Sequence, residues 1–354
     1  MTAPRAQIIG AGLIGGSIGL ALRGRGWVVT GTDRDPARLE RAIALGALDA
    51  GGVDDAAAIT FVATPVGAIT AAAREALQRG PGLVTDVGSV KAPIAAAVDD
   101  ARFVGGHPMA GSEQEGVDGA DAELFAGATW VLTPTPTTDP RAYAEVRATV
   151  SSMGADVVAV DPARHDALVA LVSHVPHLAA ATLMQLAASD AEEHATLLRL
   201  AAGGFRDMTR IAAGHPGIWP DICAENRDAI VATLDRLTDA LRGMRDLVGA
   251  GDRHGLLEAL EMARAARVSL PAGAARAEDL VEIRVPVPDR PGVIAEVTTL
   301  AGELAVNIED LEIAHSAEGG RGVMLLLVDA KASDLLRGAL LARGYRPSAR
   351  PLSP

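Results

Sequence analysis

His107 is placed to exchange protons near neutral pH, a task few side chains manage unassisted. It lies in GGHPMAGSEQEG (Gly105–Gly116), after an apolar strand-like run (Ala101–Val104) and before a Gly-bounded acidic loop. Catalytic groups are often carried on such loops by a rigid sheet. TDVGSVK (Thr85–Lys91) offers a hydroxyl, Ser89, at a sheet edge, although a serine there would equally cap a helix. SHVPH (Ser173–His177) sets His174 and His177 three residues apart, on one helical face. That spacing also suits a metal, but no third ligand stands at a fitting interval. GGFRDMTRIA (Gly203–Ala212) brings Arg206, Asp207 and Arg210 together, with the two arginines on one helical face. A guanidinium grips a carboxylate bidentately, whereas a merely solvated face would carry the same pattern.

A cofactor loop would have to stand beside these groups. QIIGAGLIG (Gln7–Gly15) is a GxGxxG between a strand and a helix. Gly10 permits the tight turn, Gly12 admits a pyrophosphate, and Gly15 lets the helix pack on the strand. Leu13 and Ile14 open the helix whose amides would face phosphate. Asp33 ends the second strand, where a carboxylate binds adenosine ribose hydroxyls and favours NAD. Arg34 beside it could accommodate the 2′-phosphate of NADP. Thr64 and Pro65 after the third strand, and Asp86 after the fourth, would line the nicotinamide end.

The elements that must position these groups fall into three regions. Strands are expected at Ala6–Ile9, Val28–Gly31, Ile59–Ala63, Leu83–Val87, Arg102–Gly105, Trp130–Thr133 and Asp156–Val160, with helices between several of them. This alternation predicts a parallel sheet covered on both faces. From His165 to about Leu270 only helical spacing of apolar residues remains. After a small-residue linker, Pro271–Ala277, the order strand, helix, strand, strand, helix, with a short last strand near Tyr345, predicts a ferredoxin-like module.

With 354 residues the chain can hold two or three domains. A net charge of −13 without a basic stripe excludes nucleic acid as a partner. An anionic substrate would need a local cluster of positive groups acting against that field. The lone Cys223 excludes an intrachain disulfide and fits a reducing cytosol. Ile8–Leu22 is uncharged and apolar but short and glycine-rich, and no other uncharged apolar run is expected to reach spanning length. A soluble, cytoplasmic protein without a membrane partner is expected.

GAGLIGGSIGLAL, DVGSVK, GGHPMAGSEQEG, SHVPH and GGFRDMTRIA, in this order, closely resemble the prephenate/arogenate dehydrogenase family of tyrosine biosynthesis, over about residues 5 to 270. DRPGVIAEVTTLAGELAVNIEDLEI (Asp289–Ile313) resembles an ACT regulatory domain. The resemblance implies an α/β fold of three domains: a Rossmann domain (1–162), a helical substrate and dimerisation domain (163–272), and a ferredoxin-like ACT domain (279–354). It implies NAD, or NADP as alternative, taking a hydride from the hydroxyl-bearing ring carbon of prephenate while the ring carboxylate leaves as carbon dioxide. His107 would accept the hydroxyl proton and Ser89 would orient that hydroxyl. Arg210 would anchor the ring carboxylate, and His177, supported by Ser173 and His174, would meet the side chain. Glu113 would help gate the site, with Trp219 near its mouth. Asp289, Arg290, Gly292 and Asn307 would hold tyrosine or another amino acid at the ACT domain, unless that module only dimerises. A homodimer is implied. Arogenate as substrate is the alternative, and a non-catalytic amino-acid sensor the remote one.

Overall fold

The computed structural model describes residues 3–111, 114, 116–189, 203–269, 280–288, 290–315 and 321–351. The chain forms two compact units, 1–242 and 243–354. In the first, β1 (Arg5–Ile9), α1 (Leu13–Arg23), β2 (Val28–Thr32), α2 (Pro36–Ala44), β3 (Ala50–Gly51), β4 (Ile59–Val62), α3 (Val66–Arg79), β5 (Leu83–Asp86), α4 (Ala92–Ala97), β6 (Phe103–Pro108), β7 (Thr129–Thr133), α5 (Pro140–Ser152) and β8 (Asp156–Ala159) follow one another. The sheet runs β3-β2-β1-β4-β5-β6-β7-β8. Helices on both faces explain why β4 is buried at every position and reads as a continuous apolar run.

Two features depart from the expected parallel sheet. The short edge strand β3 was not foreseen, because two residues carry no periodic pattern. β7 runs antiparallel to β6, with His107 opposite Val131 and Pro108 opposite Trp130. Trp130 and Phe125 anchor this join, both fully buried with ring centroids 5.0 Å apart.

No strand occurs among the described residues between β8 and residue 280. α6 (Pro162–Val169), a wide π turn (Ala170–His174) and α7 (Val175–Ser189) form one continuous helical stretch. Pro176 accounts for the wide turn, since it lacks an N–H and its ring would press on the carbonyl four residues back. Contrary to the sequence expectation, residues 162–188 are long and apolar enough to cross a membrane by length and composition alone. His165, His174 and His177 interrupt the apolar run in the sequence. His165, Asp166 and His174 are buried in hydrogen bonds within the folded unit, whereas Leu171, Val172 and Leu186 of the same stretch are exposed. α8 (Gly203–Thr209), a 3₁₀ turn (Arg210–Ala213), α9 (Trp219–Glu225) and α10 (Arg227–Ala250) follow.

The second unit holds the end of α10, then α11 (Arg253–Val268), β9 (Leu280–Pro288), α12 (Val293–Glu303), β10 (Ile308–His315), β11 (Arg321–Asp329), α13 (Ala330–Ala342) and β12 (Ser348–Pro351). The sheet order β10-β11-β9-β12, antiparallel throughout, is the expected ferredoxin-like arrangement, including its short last strand. Burial alternates along β9, as a sheet with one covered face requires. Ile283, Val285, Leu326, Leu336 and Leu340 form the fully buried centre.

Candidate active site

The glycine loop leaves the C-terminal end of β1. Gly10 has φ +100°, and a Cβ there would meet the Ala63 carbonyl oxygen at 2.5 Å. A Cβ at Gly15 would lie 1.9 Å from the Gly10 oxygen, so α1 packs directly on the turn. Gly12, by contrast, faces open space, leaving room for a pyrophosphate beside the first turn of α1, which starts at Leu13 and Ile14. Asp33 holds this loop in place: its Oδ2 accepts from the Ala11 N–H at 2.9 Å and its Oδ1 from the Asp35 N–H at 2.9 Å. Thr64 follows β4 beside Gly10, and its hydroxyl is buried with no partner among the described residues. Pro65 is the cap residue before α3. An open cradle with an orphaned hydroxyl fits a dinucleotide, which would bring its own acceptors.

β1, β4, β5 and β6 are adjacent and parallel, so the segments leaving their C-terminal ends share one edge of the sheet. Gly10, Thr64, Ser89 and His107 all stand on that edge, where open α/β sheets bind ligands. His107 itself belongs to β6, rather than to a loop as expected, because pairing with β7 prolongs the strand. Its ring Nδ1 is 2.9 Å from His165 Nε2, and His165 Nδ1 is 2.8 Å from Asp166 Oδ1. Burial pushes the His107 pKa well below the usual histidine value, and the charges of Lys91, His165 and His174 push the same way. His107 is therefore neutral at pH 7, able to accept a proton.

Beneath His107 runs a buried cation. Lys91, 1 % exposed, pairs with Asp86 and donates to the Gly106 carbonyl at 2.7 Å. Asp86 also accepts from the Gly88 and Gly106 N–H groups at 2.9 and 3.1 Å. This corrects the expectation for Asp86: wholly buried, its carboxylate holds the floor of the site and has no surface with which to line the cofactor. Gly106 has a packing reason too, since a Cβ there would lie 2.7 Å from the Asp86 backbone carbonyl oxygen. Ser89, half-buried, does not cap α4. Asp166 performs that task from another element, accepting from the Lys91 and Ala92 N–H groups at 2.8 Å each.

The helical stretch supplies the opposite wall. Ser173 and His174 lie in the π turn and His177 on α7. Trp219 stacks on His177, centroids 3.6 Å apart, and meets His174 edge-on at 6.1 Å. The two imidazoles thus share a face, as their spacing implied. Asn226 Nδ2 reaches His174 Nδ1 at 3.2 Å and donates to the Asp166 carbonyl at 2.9 Å. His174 Nε2 is buried without a partner among the described residues. Burial lowers its pKa to about 4, and lowers that of His177 as well. Arg206 and Asp207 lie on α8, but Arg210 begins the 3₁₀ turn after it, so the two arginines do not continue one α-helical face. That turn approaches His177: a Cβ at Gly214 would lie 3.8 Å from the His177 Cε1. Glu113 lies outside the described residues.

The neutral histidines carry a stability consequence. Their folded pKa values lie below the unfolded value of about 6.5, so their contribution is complete above that pH and lost as pH falls. Melting temperature should drop between about pH 6.5 and 4, and thermal melts of His174→Gln should show a shallower drop than the wild type. Equal slopes would exclude His174 as a source.

In the second unit, Asp289 lies outside the described residues. Arg290 pairs with Glu296 at 2.8 Å, and the Tyr345 hydroxyl donates to Glu296 at 2.7 Å. Gly292 takes φ +88° before α12, and Asn307 donates to Glu309 at 2.6 Å. Sequence reasoning missed Lys91, His165, Asp166 and Asn226. Lys91 stood inside the quoted DVGSVK, whereas the other three carry no local signal.

A dinucleotide loop, a neutral imidazole and a histidine-lined wall on one sheet edge define a nucleotide-dependent oxidoreductase. Residues 18–159 match the model of the prephenate dehydrogenase nucleotide-binding domain, and residues 161–262 that of the prephenate dehydrogenase dimerization domain. The chain belongs to the prephenate dehydrogenase family. It is 34 % identical to the prephenate dehydrogenase of Bacillus subtilis (strain 168), over 90 % of each chain. It is 32 % identical to the cyclohexadienyl dehydrogenase of Zymomonas mobilis, over 74 % of this chain and 94 % of the relative. Among solved structures, the Aquifex aeolicus prephenate dehydrogenase in complex with hydroxyphenyl propionate and NAD+ superposes with a TM-score of 0.71 at 29 % identity, covering 77 % of this chain and 99 % of that one. The Synechocystis arogenate dehydrogenase gives 0.66 at 32 % identity, covering 74 % and 98 %.

Proposed function

We propose that the protein converts prephenate and NAD+ into 4-hydroxyphenylpyruvate, carbon dioxide and NADH. The observation that carries this reading is the neutral His107 on the sheet edge that also bears Gly10, Thr64 and Ser89. The residues that would hold the cofactor are Gly10, Gly12, Leu13, Ile14, Gly15, Asp33, Thr64 and Pro65; when bound, it supplies the hydride acceptor. His107 takes the hydroxyl proton as the ring carbon becomes a ketone in the making, and Ser89 orients that hydroxyl. Loss of the ring carboxylate as carbon dioxide then leaves an aromatic ring. Arg210 anchors this carboxylate, while His177, Ser173 and His174 meet the side chain, with Glu113 as gate and Trp219 as the wall behind His177. The test is the appearance of reduced nicotinamide when purified protein is mixed with prephenate and NAD+. No reduction with prephenate or arogenate, using either NAD+ or NADP+, would remove the reading and leave a non-catalytic sensor.

The name of the Synechocystis relative favours a second reading of the same site, with arogenate as substrate. Comparing kcat/KM for the two substrates separates them. For Arg210→Ala we expect KM to rise roughly 10- to 100-fold with kcat little changed, the effect of losing a charge-assisted hydrogen bond of about 1.5–3 kcal/mol. A kcat loss at unchanged KM would remove Arg210 as a ground-state anchor.

The proposal extends to a homodimer, supported by the match to the dimerization domain and by Leu257, Leu260 and Met262 lying exposed along α11. It includes a division at 1–162, 163–272 and 279–354, supported by the family-model edge between residues 159 and 161. The ferredoxin-like module is read as an ACT domain taking tyrosine or another amino acid near Asp289, Arg290, Gly292 and Asn307. Titrating tyrosine against activity tests this. A cytoplasmic location completes the proposal.

A further inference from the structure

His107 is the end of a hydrogen-bonded chain that starts on a different element. We propose that His165 and Asp166, at the first turns of α6, are positioning residues that fix His107 as the tautomer with its hydrogen on Nδ1 and a lone pair on Nε2. The proposal rests on the reading of His107 as acceptor of the substrate hydroxyl proton, but the tautomer itself is measurable without substrate.

The assignment follows from counting donors. The Asp166 carboxylate receives the backbone N–H of Lys91 on Oδ1 and that of Ala92 on Oδ2, at 2.8 Å each. Both oxygens therefore act as acceptors, and an acid proton on either would face a donor. His165 Nδ1, 2.8 Å from Oδ1, must then be the donor of that pair. A neutral imidazole carries one N–H, so His165 Nε2 holds a lone pair. His107 Nδ1, 2.9 Å away with the rings inclined by 74°, donates to it. That leaves Nε2 of His107 as the base. A doubly protonated His165 would reverse this order and place the hydrogen of His107 on Nε2, where it could accept nothing.

The chain is rigid for visible reasons. His165 and Asp166 are 2 % and 4 % exposed, and Asn226 donates to the Asp166 carbonyl at 2.9 Å. Asp166 ties down the start of α4 just after Ser89, so one carboxylate sets both the serine loop and the histidine ring. In the reaction the substrate O–H bond breaks and an Nε2–H bond forms on His107. The Nδ1–H stays in place, and its hydrogen bond to His165 shares the positive charge beside the opposing Lys91 ammonium.

Two measurements test the chain. Imidazole nitrogen shifts of 15N-histidine-labelled wild-type protein, with His107 assigned by its loss in His107→Asn, should report the Nδ1–H tautomer. The Nε2–H tautomer overturns the proposal, whatever any variant does. In parallel, kcat and KM for prephenate are compared in His165→Phe and His165→Gln, with melting temperature as the folding control. His165→Phe should lower kcat about 10²-fold with KM within about threefold, the signature of a disabled base. His165→Gln should recover about tenfold of that loss, because its oxygen can accept from His107 while its amide donates to Asp166. Equal losses in the two variants, or a Phe variant within about threefold of wild-type kcat, overturn it. Should His165→Phe fail to fold, the tautomer decides alone. A wild type with the expected tautomer but no turnover of prephenate removes the proposed reaction and leaves the hydrogen-bond chain supported.

Discussion

His107→Asn should lower turnover by about 10²- to 10⁴-fold, the usual contribution of a positioned general base, with little effect on KM. Asparagine keeps a donor near the place of Nδ1 and so can still face His165, but its amide cannot take a proton at neutral pH. The substrate contacts proposed for Arg210 and His177 are untouched, which is why binding should survive. The same substitution should abolish the acid limb of the rate profile. In the wild type, activity should fall as pH drops through the His107 pKa, because an imidazolium has no lone pair for the hydroxyl proton. Burial, then Lys91, then the two neighbouring histidines hold that pKa well below the usual 6.5. The limb should therefore lie on the acid side of that value. Steady-state rates across about pH 5 to 9 read both effects. Near-wild-type turnover in His107→Asn would sink the mechanism.

How far the sequence carried the site depends on whether each group was announced locally. Gly10, Gly12 and Gly15 were legible because a tight turn and close packing leave no other residue type, and the would-be Cβ positions bear this out at Gly10 and Gly15. His174 and His177 were legible as a pair, since both pack on Trp219. Apart from the short edge strand β3, the sheet was legible as far as β6, where apolar runs alternate with helices. Its turn to an antiparallel β7 was not, because strand direction is set by the chain's return path and leaves no mark on β7 itself. Asp86 misled for a related reason. Its position after a strand end suggested the cofactor, but its environment was set by Lys91 and Gly106, which only the fold brings together. His165 and Asp166 follow α6's opening proline and look like an ordinary amphipathic turn. Their meaning comes from partners 58 and 75 residues away. Local chemistry was readable, while long-range pairing of polar groups was not.

Lys91→Met should destabilise the protein by about 3–5 kcal/mol, the cost of stranding one member of a buried ion pair. Lys91 and Asp86 are 1 % and 0 % exposed, so no water can replace the lost cation without opening the join between β5 and β6. The two N–H groups that Asp86 also accepts from remain, and they soften but do not neutralise a buried negative charge. Burial already pulls the Lys91 pKa down while Asp86 pulls it back up, so attraction and desolvation oppose each other within this pair. It follows that the double variant Lys91→Met, Asp86→Asn should recover part of the loss, since no charge is then left buried. Urea unfolding of the wild type, both single variants and the double variant measures this coupling. Lys91 also lowers the His107 pKa, so removing its charge should move the acid limb of activity to higher pH. The two readouts separate the residue's roles: additive stabilities with a shifted limb would mean that Lys91 tunes the histidine without holding the floor. A loss below about 1 kcal/mol with an unmoved limb would mean that this ammonium is not buried beneath the site at all.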